Sequence, residues 1–293
     1  MDLTGLLGGL VPLEGGWSGE TFLAETAGDR CVVRIFADPH HAPSAVEVNA
    51  ALLRLVRGLV PVPAVLEVRR PADGVPGLLI TEHVAGERGD LLLPRLSEAD
   101  LGVVGESLGR VAGTLAGMPQ LRAGTFTDGE LRVEPFALDL VDWVESHRAA
   151  LGWAPDDLAG LVDLADHAQD LLDTVGRVSL VHSDLNPKNV LIDPSGLAVT
   201  AVVDWEFAHA GSPYADLGNL LRFDRAPAYV EGVLAGFTGL RAGSAQEALE
   251  LARAADLVAL FDLAARRDAN PVAAQAHDHL LAIARARDWH AVP

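Results

Sequence analysis

Two apolar runs, VSLV at 178–181 and VLI at 190–192, enclose a polar knot holding His182, Ser183, Asp184, Asn186, Lys188 and Asn189. A third run, VTAVVD, ends on Asp204, fifteen residues past Asn189. Short runs rich in β-branched residues read as strands, so the polar residues fall on the loop between strands and at the strand mouths. The stretch therefore demands a small piece of sheet, with two carboxylates and an amide gathered at its loop ends.

The surroundings of this stretch are of two kinds. Before residue 84, GGWSGETFLAET, CVVRIF, PVPAVLEVRR and GLLITEHV read as strands. Between the second and third, PSAVEVNAALLRLVRGL places Val46, Ala50, Leu53 and Leu55 near helical spacing, with Ser44 as candidate cap. After Val84 the turn-like AGERGD leads into LSEADLGVVGESLGRVAGTLAGM, where Ser97 caps a run of Leu101, Val104, Leu108, Val111 and Leu115. DLVDWVESHRAAL and PDDLAGLVDLADHAQDLLDTV continue the amphipathic helices, and the chain is again mostly helical from Ser212 to near His290. The expectation is an α+β chain. It has a small antiparallel sheet carrying one helix in an N-terminal lobe, 1–84, and a larger, mostly helical C-terminal lobe, 85–293.

With 293 residues, 49% of them apolar, the chain can bury a sizeable core. Its formal charge of −19 argues against a nucleic-acid partner, which needs a basic surface. The same charge suits a cationic ligand, although acidity also serves solubility alone. The single cysteine, Cys31, excludes an internal disulfide and sits in an apolar strand, where a buried inert thiol is expected. The opening MDLTGLLGGLVPL carries no Lys or Arg and does not read as a signal peptide, and no run of eighteen apolar residues predicts a membrane span. A soluble cytoplasmic protein is the expectation. Lys188 is the only lysine in the chain; all other basic residues are arginine.

Carboxylate and amide oxygens are the ligands that Mg²⁺ prefers, with phosphate oxygens completing its shell. Asp184 then remains to accept a proton from a hydroxyl. Phosphoryl transfer requires that division of labour. The pattern His182-Ser-Asp184-x-x-x-x-Asn189, followed by Asp204-Trp205-Glu206 and by Asp216 in SPYADLGNLL, resembles the catalytic and metal loops of aminoglycoside phosphotransferases, small-molecule kinases with a bilobal, protein-kinase-like fold.

The resemblance implies roles residue by residue. Asp184 corresponds to the catalytic base, and Asn189 and Asp204 to the Mg²⁺ ligands. His182 corresponds to the histidine bracing the loop, and Asp216 to the buried helix aspartate bonded to its backbone. Arg34 in CVVRIF stands where kinases carry a phosphate-contacting lysine, with Glu47 as its expected ion-pair partner. GGWSGETF, with Ser18 and Gly19, resembles the loop over the phosphates but lacks a full GxGxxG. LLITEHVAG resembles the hinge, where the backbone from Glu82 to Val84 would bond adenine. Arg34 departs from the usual lysine, and the two are not interchangeable at a phosphate. Lys188 is placed for a γ-phosphate contact or for solvent. ATP or GTP is the implied co-substrate.

Other readings stay open. His182 and Asp184 with His209 would make an iron triad, but the gap is short. His40, His41, His277 and His279 are expected in solvent, and Trp205 and Phe207 in the core. The Arg34 departure admits a nucleotide-binding pseudokinase. As acceptor, acidic helices favour a polycationic antibiotic, aminoglycoside-like or a basic peptide such as a tuberactinomycin, with Asp142, Glu145, Asp224 and Asp262 as candidate contacts. Asp139, Asp142 and Glu145 equally fit an exposed helix face. The alternative acceptor is a metabolite such as choline, homoserine or a fructosamine.

Overall fold

The computed structural model describes residues 10–13, 21–26, 29–38, 41–72 and 74–293. The chain divides into two compact units. The first comprises 1–96, 125–134 and 186–208; the second comprises 97–124, 135–185 and 209–293.

In the first unit five antiparallel strands lie in the order Val11–Pro12, Thr21–Thr26, Asp29–Phe36, Gly77–Glu82, Val65–Arg69. Alternation along the central strand sends Val33 into a core with Ala24, Leu78 and Ile80, with Cys31 and Ile35 packed beside it. Cys31 is partly buried, and that burial pushes its thiol up, favouring the protonated form. Arg34 falls on the opposite face, in register with Leu79, and its guanidinium lies 5.3 Å from the Phe36 ring centroid, two residues on along the same face.

Helix Ala45–Val56 buries Val46, Ala50 and Leu53 as its spacing predicts. Leu55 is instead exposed, because it lies off the stripe those three define. Ser44 makes no side-chain cap; its hydroxyl donates to the Thr127 carbonyl at 2.7 Å, a partner far along the chain. A second, three-stranded sheet joins Glu87–Arg88, Val190–Ile192 and Val199–Val202.

The second unit is built on helices. Helix Glu98–Ala116 starts at Ser97, whose hydroxyl accepts the Asp100 N–H at 3.2 Å. It packs backbone to backbone on helix Pro227–Thr238. A methyl at Gly105 would lie 2.6 Å from the Tyr229 carbonyl oxygen, and one at Gly109 would overlap the Val233 carbonyl outright. Helices Leu140–Leu151, Pro155–Asp173, Ala245–Ala264 and Pro271–Ala286 surround a core of Leu, Ala and Phe side chains that includes Leu161, Leu257, Phe261 and Leu280. His277 and His279 belong to this interior, 6% and 3% exposed, and not to solvent as their sequence setting predicts. The His277 Nε2 accepts the Trp153 indole N–H at 2.8 Å and its Nδ1 lies 3.0 Å from Asp278 Oδ1, so both ring nitrogens have partners.

Strand Val178–Val181 pairs antiparallel with His209–Gly211 and with Pro119–Gln120, and leads directly into the polar knot. No helix among the described residues is long and apolar enough to cross a membrane.

Candidate active site

After Val181 the chain runs through four residues whose backbone N–H groups are all taken by side chains. The His182 N–H donates to Asp216 Oδ2 at 2.9 Å, and the Ser183 N–H to Asp216 Oδ1 at 2.8 Å. The Asp184 N–H donates to His182 Nδ1 at 3.3 Å, and the Leu185 N–H to Asn219 Oδ1 at 3.1 Å. Asp216 and Asn219 stand three residues apart on helix Ala215–Leu221, hence on one face of it. A loop that supplied no such partners would leave buried donors unmet, at about 1–3 kcal/mol each.

Ser183 adopts a positive φ of 66°. Few non-glycine residues hold that conformation unless their neighbours fix it. The four hydrogen bonds provide the fixing, and they set the direction in which Asp184 leaves the chain. The His182 ring is fully buried, and its Nδ1 accepts the Asp184 N–H within the loop, a bracing contact. Burial pushes the Asp216 carboxyl up, while His182 and the two amides pull it down.

The chain passes from the second unit to the first between Leu185 and Asn186. In the first unit the Asn186 side chain caps the short turn Pro187–Asn189, accepting the Lys188 N–H at 3.2 Å. The Asn189 carbonyl accepts the Val203 N–H at 2.9 Å. That bond ties the two predicted metal-ligand segments together, since Asp204 is the next residue. Asp204 also has a φ of 66°, and Trp205 behind it is buried, donating its indole N–H to the Val202 carbonyl at 3.1 Å. Phe207, predicted as core, is 59% exposed, because the core position in this turn is filled by Trp205.

Arg34 meets this turn with both arms of its fork. Its Nη1 donates to Asp204 Oδ1 at 2.6 Å, and its Nη2 to the Glu206 carboxylate. Burial alone would lower the Arg34 pKa; the two carboxylates outweigh it and raise it. Burial and the neighbouring Asp204 raise Glu206 in turn, opposed by Arg34 and by His41, whose Nε2 lies 3.8 Å away. The expected Arg34–Glu47 ion pair is therefore not the one formed. Glu47 pairs with Arg70, whose side chain is largely exposed.

Glu206 is the residue that sequence reasoning passed over at this position. Its signal was present in the Asp-Trp-Glu run, two residues past Asp204, where the chain turns and brings both carboxylates to Arg34. Glu82 closes its strand with its N–H donated to the Ala64 carbonyl at 2.9 Å, and residues 83–86, Val84 among them, leave regular structure. Ser18 and Gly19 lie outside the described residues, as does His40.

The four acidic positions proposed for an acceptor differ from one another. Glu145 pairs with Arg148 at 3.4 Å on its own helix, and Asp262 with Arg266 just past the end of its helix, so each has a cation beside it. Asp142 is exposed in the first turn of its helix, where Asp139 caps by accepting its N–H at 3.0 Å. Asp224 is half-buried, burial pushes its carboxyl up, and it has no ion-pair partner among the described residues.

A model of the phosphotransferase enzyme family matches residues 9–251. The chain belongs to the phosphotransferase enzyme family. An aminoglycoside 3'-phosphotransferase of Streptomyces ribosidificus is 29% identical over 175 residues, which span 57% of this chain and 61% of that protein. Human acyl-CoA dehydrogenase family member 11 is 26% identical over 153 residues, 49% of this chain but 18% of that protein. The chain thus spans less than two thirds of the length of either relative. A solved structure of a thermostable mutant of aminoglycoside phosphotransferase APH(4)-Ia, in a ternary complex with AMP-PNP and hygromycin B, superposes with a TM-score of 0.68 at 20% identity. That match covers 94% of this chain and 93% of that one, and it establishes that this family member shares the kinase-like α+β fold.

Proposed function

We propose that this chain transfers the γ-phosphate of ATP, or GTP, to a hydroxyl of a small cationic acceptor. The single observation that carries the reading is the fully bonded loop 182–185, which presents Asp184 from a backbone with no spare donor. An acid-base group must be held in place before the substrate arrives, and misplacement by about 1 Å costs on the order of 10²-fold in rate. In the step itself the acceptor oxygen bonds to the γ-phosphorus, the bond from that phosphorus to the bridging oxygen breaks, and the nucleoside diphosphate leaves. The hydroxyl proton passes to the Asp184 carboxylate.

Asn189 and Asp204 would hold Mg²⁺. Their oxygen donors suit it, and their backbones are already linked through the Val203 N–H. The ion would neutralise phosphate charge when bound. Arg34 contacts the phosphates in this reading and Lys188 supplies a further cation, while the backbone from Glu82 to Val84 receives the base. Ser18 and Gly19 cover the phosphates. Residues 1–84 then serve mainly the nucleotide and 85–293 the chemistry and the acceptor.

The acceptor is an aminoglycoside-like or basic-peptide antibiotic, and the protein acts in the cytoplasm, where nucleotide and drug meet. A net charge of −19 and the half-buried, unpaired Asp224 support a cationic acceptor, since an ammonium group loses its water only where a carboxylate replaces it. The test is turnover with ATP and GTP against a panel of hydroxylated antibiotics and metabolites, repeated with Asp184→Ala. The variant is expected to lose several orders of magnitude in kcat while still binding nucleotide. Near-normal turnover would remove Asp184 as the base. Phosphorylation of a neutral metabolite alone would overturn the antibiotic acceptor and leave the kinase reading in place.

A further inference from the structure

The last of the four loop amides is held by a chain of side chains that continues behind it. Asn219 accepts the Leu185 N–H through Oδ1 and donates from Nδ2 to Asp256 Oδ1 at 3.2 Å. The same Asp256 carboxylate takes a two-armed grip from Arg222, Nε to Oδ2 at 2.9 Å and Nη2 to Oδ1 at 2.7 Å. Asn219, Arg222 and Asp256 are 5%, 5% and 2% exposed. The helix bearing Asn219 and the helix bearing Asp256 are in backbone contact at this level, since a methyl on Gly218 would lie 2.5 Å from the Ala252 carbonyl oxygen. Asp256 lies past residue 251, where the family match ends.

We propose that Asp256, fixed by Arg222, is a positioning residue for Asp184. It sets the orientation of the Asn219 amide and thereby the backbone of the loop. The physical basis is the asymmetry of a primary amide. With a carboxylate on one side, the NH₂ must face it, which leaves the carbonyl oxygen for the Leu185 N–H. The reverse orientation would set oxygen against carboxylate and NH₂ against N–H. Arg222 in turn prevents the buried carboxylate from standing unpaired. A buried ion pair is a weak source of stability, because the desolvation it costs offsets the attraction, so its presence here favours a role in specifying geometry. The link also has a charge component: burial works against the Arg222 charge, and Asp256 and then Asp184 favour it.

This inference rests on the kinase reading of Asp184, and its test separates the two. Asn219→Ala and Asp256→Asn are made singly and together. Hydrogen exchange of the amides of residues 182–185 is followed beside kcat, nucleotide KM and thermal melting. The relay predicts faster exchange at Leu185 in each single variant and a kcat lower by on the order of 10²-fold. Nucleotide KM should stay within about threefold, because that step is bound elsewhere. The double variant should be no worse than the poorer single, since both break one relay. A variant that only weakened the fold would lower the melting temperature and leave kcat intact below it. Unchanged exchange and kcat in a folded single variant, or losses that multiply in the double, overturn the proposal. Asp256→Asn reads the relay from its far end, so it decides the matter if Asn219→Ala fails to fold. If the parent chain phosphorylates nothing in the panel, the kinase reading fails and the exchange data alone decide whether Asp256 holds the loop.

Discussion

Asp216→Asn changes almost no volume, so its effect isolates hydrogen bonding. The carboxylate uses one oxygen for the His182 N–H and the other for the Ser183 N–H, at 2.9 and 2.8 Å, from a side chain 2% exposed. Asparagine offers one oxygen and one NH₂. Whichever way it turns, a donor faces a buried donor. One charge-assisted bond becomes a neutral one, and the other becomes a repulsive contact with an amide that cannot reach water. Unmet buried donors cost about 1–3 kcal/mol, and bonds to charged groups contribute about 1.5–3 kcal/mol, so a loss of roughly 2–4 kcal/mol is expected. At about 2–4 °C per kcal/mol for a domain of this size, the melting temperature should fall by roughly 5–15 °C. Calorimetry reads the melting, and exchange at residues 182 and 183 reads the local release. If Asp216→Asn melts within a degree of the parent and protects both amides equally well, the carboxylate is not what holds the loop and the reasoning fails.

The glycine-lined contact between helices Glu98–Ala116 and Pro227–Thr238 gives a paired prediction. Gly109→Ala should destabilise by about 2–3 kcal/mol, because its methyl meets the Val233 carbonyl. Gly102→Ala, with its nearest contact at an ordinary 3.6 Å, should gain about 0.5–1 kcal/mol from helix propensity; chemical denaturation of both checks the difference. His279 gives a pH dependence. Burial, and then Arg225, whose Nη2 lies 3.0 Å from Nε2, push its pKa down to about 4, with Arg253 adding to them and Asp256 opposing. A depressed histidine stabilises the fold fully above its unfolded pKa and loses that contribution as pH falls toward 4. Between pH 7 and pH 5 the loss from this group should be about 2 kcal/mol, and His279→Gln should flatten the curve by that amount in urea titrations at the two pH values.

The polar segment from His182 to Asn189 was legible as a loop between two strands because its flanks are short apolar runs rich in β-branched residues. Ser97 was legible too, since a cap and its helix are neighbours. Ser44 had the same local signal and a different outcome: its hydroxyl found the Thr127 carbonyl, 83 residues away, and no local pattern encodes such a competitor. His277 and His279 misled because histidine reads as polar in a sequence. Each ring buries readily because a partner meets its Nε2, Trp153 for His277 and Arg225 for His279. Asn219 and Asp256 were invisible for a further reason. Each is an ordinary polar residue on its helix, and only the approach of the two helices, 37 residues apart in sequence at these positions, turns them into one device.

Arg34 shows how a local departure is answered elsewhere. A lysine there would be a point charge, able to satisfy one carboxylate at a time with defined geometry. The guanidinium is a planar fork, and here its two arms reach different carboxylates, Asp204 and Glu206. Glu47, the expected partner, is consequently left to Arg70 at the surface. The arginine is therefore more than one instance of a composition that has discarded lysine almost everywhere. It matches a second carboxylate two residues beyond Asp204. Replacing it with lysine would restore the familiar residue type and strand Glu206 in a half-buried position beside Asp204, with one cation shared between two like charges. The one lysine that remains, Lys188, lies in the turn Pro187–Asn189, which presents Asn189.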